Sequence, residues 1–550
     1  MAPVLQESKE KVKSVDETLK TATTESEVLP YTPLDEIPKG VQKLRDSFHK
    51  KGKTHSVQYR LNQMRNVYFA IKDNEEAICD ALYKDFYREP AETKILEIAP
   101  GLAELVHVMG SLYRWSKPEK VTDLNLVQSL SPVYIERVPL GVVLAISPFN
   151  YPFLLSLSSI IGALSGGNAV AFKPPESTPH FSKLFCDLLS EALDDDIFFA
   201  VNGAIPETTK LLDQKFDKII YTGSGRVGTI VAKKAAETLT PVLLELGGKS
   251  PGFILEDVND KDLGAIARRI VWGRFVNAGQ TCVGVDYVLV PEHLHDKLVT
   301  NITNVLKEFF PDISAKNTPG YTHLIHKRAF DGMVKIIKST KAKIAAGGDY
   351  DESTRYVGPT VLTNCQWSDS SMQGEIFGPI LPIVKYSNLD SVVDHVVQNY
   401  DQPLVQYIFT SGSNSRSKNK QLDYILRRIR SGDVIINDVL MHVALSNAPF
   451  GGIGPSGTGA YHGWYSFRLF THERILMEQS LSSEFLVQSR YPPYNSKKAR
   501  LTRSAMESYN GKVWFDRTGD VRLKGPNSLW GAWASVAGVF ALGYYFVSSL

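Results

Sequence analysis

Two stripes of apolar residues recur at steps of three and four between residues 40 and 115 of the chain. The first contains Leu61, Met64, Val67, Tyr68 and Ile71, and the second contains Ile95, Ile98, Leu102, Leu105 and Val106. Apolar residues at this spacing fall on one face of an α-helix. The pattern therefore predicts amphipathic helices whose apolar faces are buried.

Beyond residue 140, short apolar runs alternate with segments of helix length. The runs predicted to be buried strands are residues 142–146, 169–172, 218–221, 287–290, 381–384, 406–409 and 434–436. Alternating strands and helices are typical of a parallel sheet that is covered by helices on both faces. Because the later runs all follow Glu245, the pattern predicts a second α/β lobe after that residue.

The two ends of the chain lack this alternation of predicted strands and helices. Residues 1–30 contain six acidic residues, four lysines and no arginine, which predicts a disordered tail rather than a mitochondrial presequence. Residues 528–550 contain no charged residue, and the segment 496–524 before them has eight Lys and Arg against three Asp and Glu. At about 1.5 Å per residue, an uncharged helix of this length crosses a hydrocarbon core of roughly 30 Å.

Aromatic residues near both ends of this apolar run favour the membrane interface. They are Trp530, Trp533, Tyr544 and Tyr545. We therefore expect a carboxy-terminal transmembrane anchor with the body of the protein in the cytosol. The receiving membrane stays open among the endoplasmic reticulum, the mitochondrial outer membrane, the peroxisome and the lipid droplet. The alternative is a buried terminal helix or a dimer contact.

The overall composition excludes several classes of function. Lys and Arg number 61 against 59 Asp and Glu, so no excess of positive charge indicates a nucleic-acid partner. The cysteines Cys79, Cys186, Cys282 and Cys365 are far apart and form no CxxC pair, which argues against a zinc site or any other metal centre. We expect free thiols in a reducing compartment.

A glycine pattern at residues 223–228 is the first candidate for chemistry. Gly223, Ser224 and Gly228 belong to a G-x-G-x-x-G sequence between the predicted strand 218–221 and a helix that we expect to begin at Thr229. Such a turn lets the backbone approach a pyrophosphate at the helix start. The alternative is a tight glycine turn without a ligand. A Rossmann interpretation would assign Glu245, about 20 residues on, to the ribose hydroxyls.

Glu245 has a second interpretation. It lies on a glycine-rich turn, and Cys282 follows 37 residues later in the sequence NAGQTC. A cysteine and a carboxylate that meet at one site can act as nucleophile and base. Spacing alone does not distinguish this pair from an ordinary buried cysteine and an unrelated glutamate.

Seven motifs resemble, in order, those of the aldehyde dehydrogenase superfamily, over about residues 40–490. They are SPFNYPF (147–153), GNAVAFKPPESTP (167–179), YTGSGRVG (221–228), LELGGKSP (244–251), NAGQTC (277–282), GEIFGPILPI (374–383) and NAPFGGIGPSGTGAYHGWYSFRLFTHERIL (447–476). The last motif is most similar to the fatty aldehyde, class 3, branch. With its apolar tail, the chain resembles the membrane-anchored long-chain fatty aldehyde dehydrogenases of fungi.

The resemblance implies a role for each matching residue. Cys282 corresponds to the nucleophile, Glu245 to the general base, and Asn150 to the amide of the oxyanion hole. The implied NAD contacts are Lys173 and Glu176 at the adenosine ribose, Ser224 with Gly223 and Gly228 at the pyrophosphate, and Glu375 and Phe377 at the nicotinamide ribose and ring. Because Glu176 would repel a 2′-phosphate, we expect NAD to be preferred, with NADP possible.

The resemblance also implies an architecture and a homodimer. The expected fold is α/β, with a Rossmann-like NAD-binding domain (31–127 and 139–244), a catalytic domain (245–442), an oligomerisation flap (128–138 and 443–490) and a basic linker (491–527). His462 would line the substrate funnel or brace it, and His107 is expected to be a core histidine.

A membrane anchor favours lipophilic aldehydes, which partition into the bilayer. We therefore predict oxidation of medium- to long-chain aliphatic aldehydes to carboxylic acids. The alternatives are another lipophilic aldehyde, such as an apocarotenal or an aromatic aldehyde, and a catalytically silent membrane scaffold of the same fold. A cysteine hydrolase would need a histidine base and no nucleotide site.

Overall fold

A computed structural model of the chain describes residues 28–122, 124, 131–311, 314, 320–506, 513–514, 517–518 and 520–523. Most of the predicted amino-terminal tail and all of the predicted anchor at 528–550 lie outside these residues. The chain divides into two compact units. The first comprises residues 1–117 and 137–473, and the second comprises 118–136 and 474–550.

A six-stranded sheet in the first unit contains the early predicted strands. Its strands, in spatial order, are Gly457–Thr458, Val242–Glu245, Lys218–Thr222, Val142–Ile146, Ala169–Lys173 and Phe198–Ala200. All neighbours are parallel except the pair Gly457–Thr458 and Val242–Glu245. The central strands are buried along their whole length, as their continuous apolar runs predict.

A seven-stranded sheet in the same unit contains the later predicted strands. Its order is Lys343–Ala346, Thr360–Thr363, Ile380–Tyr386, Tyr287–Pro291, Pro251–Ile254, Val405–Phe409 and Asp433–Ile436. Only the edge strand Lys343–Ala346 is antiparallel to its neighbour. A separate hairpin pairs Tyr350–Asp351 with Tyr356–Val357. The predicted strands are confirmed, with ends that differ by one or two residues.

Helices precede the first strand and connect the later strands of both sheets. They are Glu36–Lys51, Val57–Lys72, Glu75–Phe86, Pro90–Thr93, Ala99–Trp115, Pro152–Ser165, Pro179–Ala192, Ile205–Leu212, Gly225–Ala236, Leu263–Phe275, Glu292–Phe309, Lys327–Ser339, Leu389–Tyr400, Lys420–Arg428 and Gly463–Leu469. A π-helical turn, Lys94–Ile98, joins Pro90–Thr93 to Ala99–Trp115. Short 3-10 turns are Lys53–His55, Asp260–Asp262, Val276–Gly279, Ser370–Met372 and Met441–Ala444.

The second apolar stripe of the sequence is only partly buried. Ile98 and Leu105 lie in the core, whereas Ile95 is 70% exposed and Val106 is 54% exposed. The prediction of one buried face was wrong for these two residues. The π-turn adds a residue to the helical repeat and rotates Ile95 away from the face that Leu105 shares. Val106 lies next to Leu105 and therefore points about 100° away from it.

One helical stretch among the described residues, Pro90–Trp115, is long and apolar enough to span a membrane by length and composition. Several of its side chains, including Leu105, Val108 and Leu112, are fully buried in a core shared with the helix Pro152–Ser165. These contacts are those of a core helix in a globular body.

A three-stranded sheet has the order Glu119–Lys120, Val133–Pro139 and Thr471–Met477. The other described elements of the second unit are the helices Glu484–Val487 and Ser496–Met506, the 3-10 turns Leu481–Ser483 and Gln488–Arg490, and a hairpin of Val513–Trp514 with Arg522–Leu523. The edge strand Thr471–Met477 exposes Ile475 and Met477 to solvent.

Candidate active site

Cys282 differs from the other three cysteines because it alone is not fully buried. It follows a turn in which Asn277, Ala278 and Gly279 all have left-handed backbone angles, with φ of 53°, 51° and 71°. A side chain at Gly279 would place its Cβ 2.3 Å from the Gly378 carbonyl oxygen. Glycine therefore lets the Cys282 loop approach the segment around Gly378.

The surroundings of Cys282 disfavour its thiolate. Burial raises its pKa well above the usual value, and the negative charges of Glu245 and Glu375 add to the effect. Backbone N–H groups of Cys282 and Val283 lower the pKa, but by less. Cys282 is therefore a thiol at neutral pH unless a base removes its proton.

Glu245 is the last residue of the strand Val242–Glu245 and is 1% exposed. Its Oε1 atom has no hydrogen-bond partner among the described residues. Burial raises its pKa well above the ordinary value, and the charges of Glu375 and Asp433 raise it further. The structure thus brings Glu245 into electrostatic range of Cys282, and it leaves the carboxylate free to accept a proton.

Asn150 lies in the loop before the helix Pro152–Ser165 and is 3% exposed. Its backbone carbonyl accepts a hydrogen bond of 2.9 Å from the Asn277 side-chain amide, and another from Arg88. The neighbouring Tyr151 and Thr281 share a hydrogen bond of 2.9 Å between their hydroxyls. These contacts join the Asn150 loop to the Cys282 loop.

Arg88 is a buried residue that the sequence analysis missed. Its guanidinium pairs with Glu97 and donates to the Asn277 side-chain oxygen at 2.5 Å. Glu97 also accepts from the backbone N–H groups of Phe153 and Leu154, at 2.8 and 3.0 Å. The ion pair therefore fixes both loops to the start of the helix Pro152–Ser165. Five of the ten residues 88–97 are charged, so nothing in the sequence distinguished this pair.

The glycine turn at 223–228 lies between the predicted strand and a helix. The helix begins at Gly225, so the prediction of a start at Thr229 was wrong. Ser224 caps the helix, since its hydroxyl accepts from the Val227 N–H at 3.5 Å. A Cβ at Gly228 would lie 2.8 Å from the Leu246 side chain, so this glycine lets the helix pack closely against the sheet.

Lys173 and Glu176 form an ion pair at the end of the strand Ala169–Lys173. Lys173 is buried. Burial opposes ionisation of Glu176, but the Lys173 ammonium outweighs it and holds the pKa of Glu176 below its usual range. A carboxylate and an ammonium together can bind the hydroxyls of a ribose.

Glu375 and Phe377 lie on a turn that follows the 3-10 helix Ser370–Met372. Phe377 has a left-handed backbone, with φ of 51°, and its ring lies edge-on to Phe149 with centroids 5.9 Å apart. A Cβ at Gly247 would lie 2.3 Å from the Glu375 carboxylate, so this carboxylate packs directly on the backbone after Glu245. Although Glu375 keeps an exposed part, burial of its carboxylate and the charge of Asp286 raise its pKa to about 8.

A buried charge network holds this turn in place. Lys249 donates to Asp286 at 2.6 Å and to the Gly374 carbonyl at 3.0 Å. Arg274 donates to the other Asp286 oxygen at 3.0 Å and to the Gly378 carbonyl at 2.5 Å. All three side chains are at most 3% exposed. The network clamps both ends of the turn, and it was not foreseen from the sequence.

These residues fit a dinucleotide. The free N–H groups at the start of the helix Gly225–Ala236 offer a site for a pyrophosphate, and nothing lies within 4 Å of a Cβ placed at Gly225. The pair Lys173 and Glu176 suits a ribose, and Glu375 with Phe377 suits a second ribose and its flat ring. Glu245 is not available for a ribose, because it is buried beside Cys282.

Comparisons with known proteins agree with this geometry. Residues 7–476 match the sequence model of the Aldehyde dehydrogenase family. Fatty aldehyde dehydrogenase HFD1 of Saccharomyces cerevisiae is 39% identical over 523 residues, which are 92% of this chain and 95% of the yeast protein. Beta-apo-4′-carotenal oxygenase of Gibberella fujikuroi is 38% identical over 492 residues, 90% of this chain and 88% of that protein.

Solved structures show the same fold. Staphylococcus aureus AldH in a substrate-bound state is 36% identical, with a TM-score of 0.79 over 84% of this chain and 98% of that chain. Mycobacterium tuberculosis aldehyde dehydrogenase complexed with NAD+ is 25% identical, with a TM-score of 0.72 over 82% of this chain and 91% of that chain. The chain therefore belongs to the aldehyde dehydrogenase family.

Proposed function

We propose that this protein oxidises medium- to long-chain aliphatic aldehydes to carboxylic acids with NAD(P), through a thioester on Cys282. The observation that carries the proposal is a partly exposed cysteine in electrostatic range of a buried Glu245 carboxylate without a hydrogen-bond partner among the described residues. A nucleophile and a base are thus held together beside residues that fit a dinucleotide.

Glu245 removes the Cys282 proton as the sulfur attacks the aldehyde carbon. Without such a base the thiol would stay protonated, because its pKa is raised by burial and by the Glu245 charge. The carbonyl oxygen then becomes an oxyanion, which accepts hydrogen bonds from the Asn150 amide and the Cys282 backbone N–H. Loss of one such donor typically costs about 3 kcal/mol of barrier.

When bound, NAD supplies the two-electron acceptor for the aldehyde hydrogen. Lys173 and Glu176 hold the adenosine ribose, Ser224 and the helix start hold the pyrophosphate, and Glu375 and Phe377 orient the nicotinamide end. The acyl group remains on the Cys282 sulfur as a thioester. The carboxylate of Glu176 favours NAD over NADP, because it repels a 2′-phosphate.

The second half of the reaction uses Glu245 again. The thioester sulfur carries no charge, so Glu245 becomes the principal base near the acyl carbon. After it has released the Cys282 proton, it takes a proton from a water molecule whose oxygen bonds to the thioester carbon. The C–S bond then breaks, the carboxylic acid leaves, and Glu245 returns the proton to the sulfur as a thiol.

The substrate class rests on two features. The relative from Saccharomyces cerevisiae is named a fatty aldehyde dehydrogenase, and the uncharged segment 528–550 would hold the catalytic mouth near a bilayer in which long-chain aldehydes dissolve. A second candidate is an apocarotenal, since the relative from Gibberella fujikuroi is named for one. We further propose that the protein forms a homodimer and that its catalytic part lies in the cytosol.

One assay series tests the proposal. Hexadecanal with NAD should produce NADH in the intact protein and none in Cys282→Ala, while an aldehyde series from hexanal to hexadecanal and an apocarotenal defines the preferred substrate. Ester cleavage without any NADH formation would contradict the dehydrogenase function. Equal rates for hexanal and hexadecanal would contradict the lipid substrate.

A further inference from the structure

A wall of aromatic and polar side chains lies beside Cys282 and has no role in the reaction as described above. The Tyr407 hydroxyl donates to the Val283 carbonyl at 2.5 Å, one residue after Cys282. The Tyr407 ring lies 6.4 Å from the His442 ring, which lies 5.9 Å from Phe450. His442 is therefore connected to the Cys282 loop through Tyr407.

Several buried polar atoms without partners among the described residues lie in this wall or beside it. Among the described residues, no hydrogen-bond partner is found for both ring nitrogens of His442, Asp433 Oδ2, Tyr461 Oη, His462 Nε2 and Glu245 Oε1. Buried polar groups are nearly always hydrogen-bonded to protein or to ordered water. A group of them on one side of a site therefore indicates that they face bound water or a ligand.

Exposure increases from Glu245 to His442 and from His442 to Asp433. Glu245 is 1% exposed, the His442 side chain is 7% exposed and the Asp433 side chain is 21% exposed. His442 Nε2 lies 3.8 Å from Asp433 Oδ2. This distance is too long for a direct hydrogen bond but short enough for the carboxylate to stabilise a protonated imidazole. Asp433 thus connects the buried histidine to solvent.

We propose that His442 and Asp433 form the outlet for the proton that Glu245 takes from Cys282. This proposal rests on the proposed role of Glu245 as base. Glu245 takes the S–H proton as the sulfur bonds to the aldehyde carbon, and it must release this proton before it can accept one from the hydrolytic water. The Cys282 proton moves through bound water to His442 Nε2 and leaves by way of Asp433, with no oxidation or reduction in these steps.

The charges around His442 suit a transient acceptor. The titratable groups of the described residues that face it are Asp433, His462 and Tyr407. Burial, with a smaller effect of His462, lowers the pKa of His442 to about 4, and burial raises the pKa of Asp433 to about 6. The imidazole is therefore neutral at rest, and a proton that reaches it passes on to the Asp433 carboxylate, whose pKa is higher.

First-turnover kinetics separate this role from a structural one. In His442→Phe, the first NADH should form at the rate of the unaltered protein, because acylation precedes the outlet. Steady-state turnover of octanal should fall by about 10-fold or more, since loss of a positioned proton acceptor commonly costs ~10²-fold. Thioester should accumulate on Cys282 by intact mass, and free imidazole in the buffer should restore part of the rate. Asp433→Asn should likewise lower steady-state turnover without slowing formation of the first NADH.

His107→Phe is the matched control. His107 also has a ring nitrogen without a partner among the described residues, but its ring contacts Trp115 at a tilt of 58° within the helix Ala99–Trp115. This variant should keep full turnover. Unchanged steady-state turnover in His442→Phe would overturn the proposal. A result in which Tyr461→Phe lowers steady-state turnover and His442→Phe does not would overturn it as well. Absence of NADH from the unaltered protein would instead overturn the dehydrogenase function.

Discussion

At the residue scale, the site concentrates negative charge where a thiol must ionise. Cys282 is surrounded by Glu245 and Glu375, and Glu245 by Glu375 and Asp433. Like charges in a buried region cannot all ionise together, so protons are retained. The raised pKa of Glu245 makes it a stronger base than an ordinary carboxylate.

Glu245→Gln should lower the pKa of the Cys282 thiol. Burial is the larger cause of the raised pKa and stays in place, whereas the charge of Glu245 is removed. The pH midpoint for alkylation by iodoacetamide should move to lower pH by about one unit, because a single neighbouring charge has an effect of this size. Turnover should nevertheless be lost. An unchanged or higher midpoint would place Glu245 out of range of the sulfur.

Glu176→Gln should shift the cofactor preference toward NADP. The change removes the carboxylate that repels a 2′-phosphate, and it frees the Lys173 ammonium from its ion pair. The ratio of kcat/KM for NADP to that for NAD should rise about 10-fold, which corresponds to ~1.4 kcal/mol. Asp187→Asn, which breaks the exposed pair with Lys183, is the control and should leave the ratio unchanged.

At the scale of elements, the turn that contains Glu375 and Phe377 depends on contacts from distant strands and helices. Lys249 precedes the strand Pro251–Ile254, Arg274 lies in the helix Leu263–Phe275, and Asp286 precedes the strand Tyr287–Pro291. Together they hold the Gly374 and Gly378 carbonyls. Buried charges of this kind stabilise a structure only while every partner is present.

Asp286→Ala should therefore both destabilise the protein and weaken NAD binding. It leaves the Lys249 and Arg274 charges buried without their partner, which typically costs ~3–5 kcal/mol in the free energy of unfolding. Urea denaturation and the KM for NAD measure the two effects. Asp260→Ala breaks the exposed pair with Lys297 and should cost less than about 1 kcal/mol. Equal losses in the free energy of unfolding for both variants would contradict the role of Asp286 in holding this turn.

At the scale of the whole molecule, we propose that the apolar segment 528–550 anchors the enzyme to a membrane and so decides where it works. It lies outside the described residues, so its role rests on composition. A membrane anchor changes access to substrate without changing the chemistry at Cys282.

Deletion of residues 528–550 should release the protein from liposomes in a flotation assay. The truncated protein should oxidise hexanal at the rate of the full chain, because hexanal dissolves in water. Hexadecanal supplied in liposomes should be oxidised several-fold more slowly, since the enzyme must then wait for the aldehyde to leave the bilayer. Flotation of the truncated protein at the level of the full chain would show that other residues bind the membrane.

The sequence by itself determined the strands and the family motifs. Continuous apolar runs such as 142–146 and 287–290 predict buried strands, because a strand covered on both faces needs apolar residues throughout. The motifs led to Cys282 and Glu245. The helix start at Gly225 was missed, because glycine has a low helix propensity that the cap at Ser224 overrides here.

Only the tertiary structure decided which residues support that site. Arg88 contacts Asn277, and Arg274 contacts Gly378, across separations of 189 and 104 residues. Local periodicity reports burial of a face, but it contains no information on which distant groups meet. The same holds for His442 and Glu245, whose unpartnered polar atoms become meaningful only when the folded chain buries them beside Cys282.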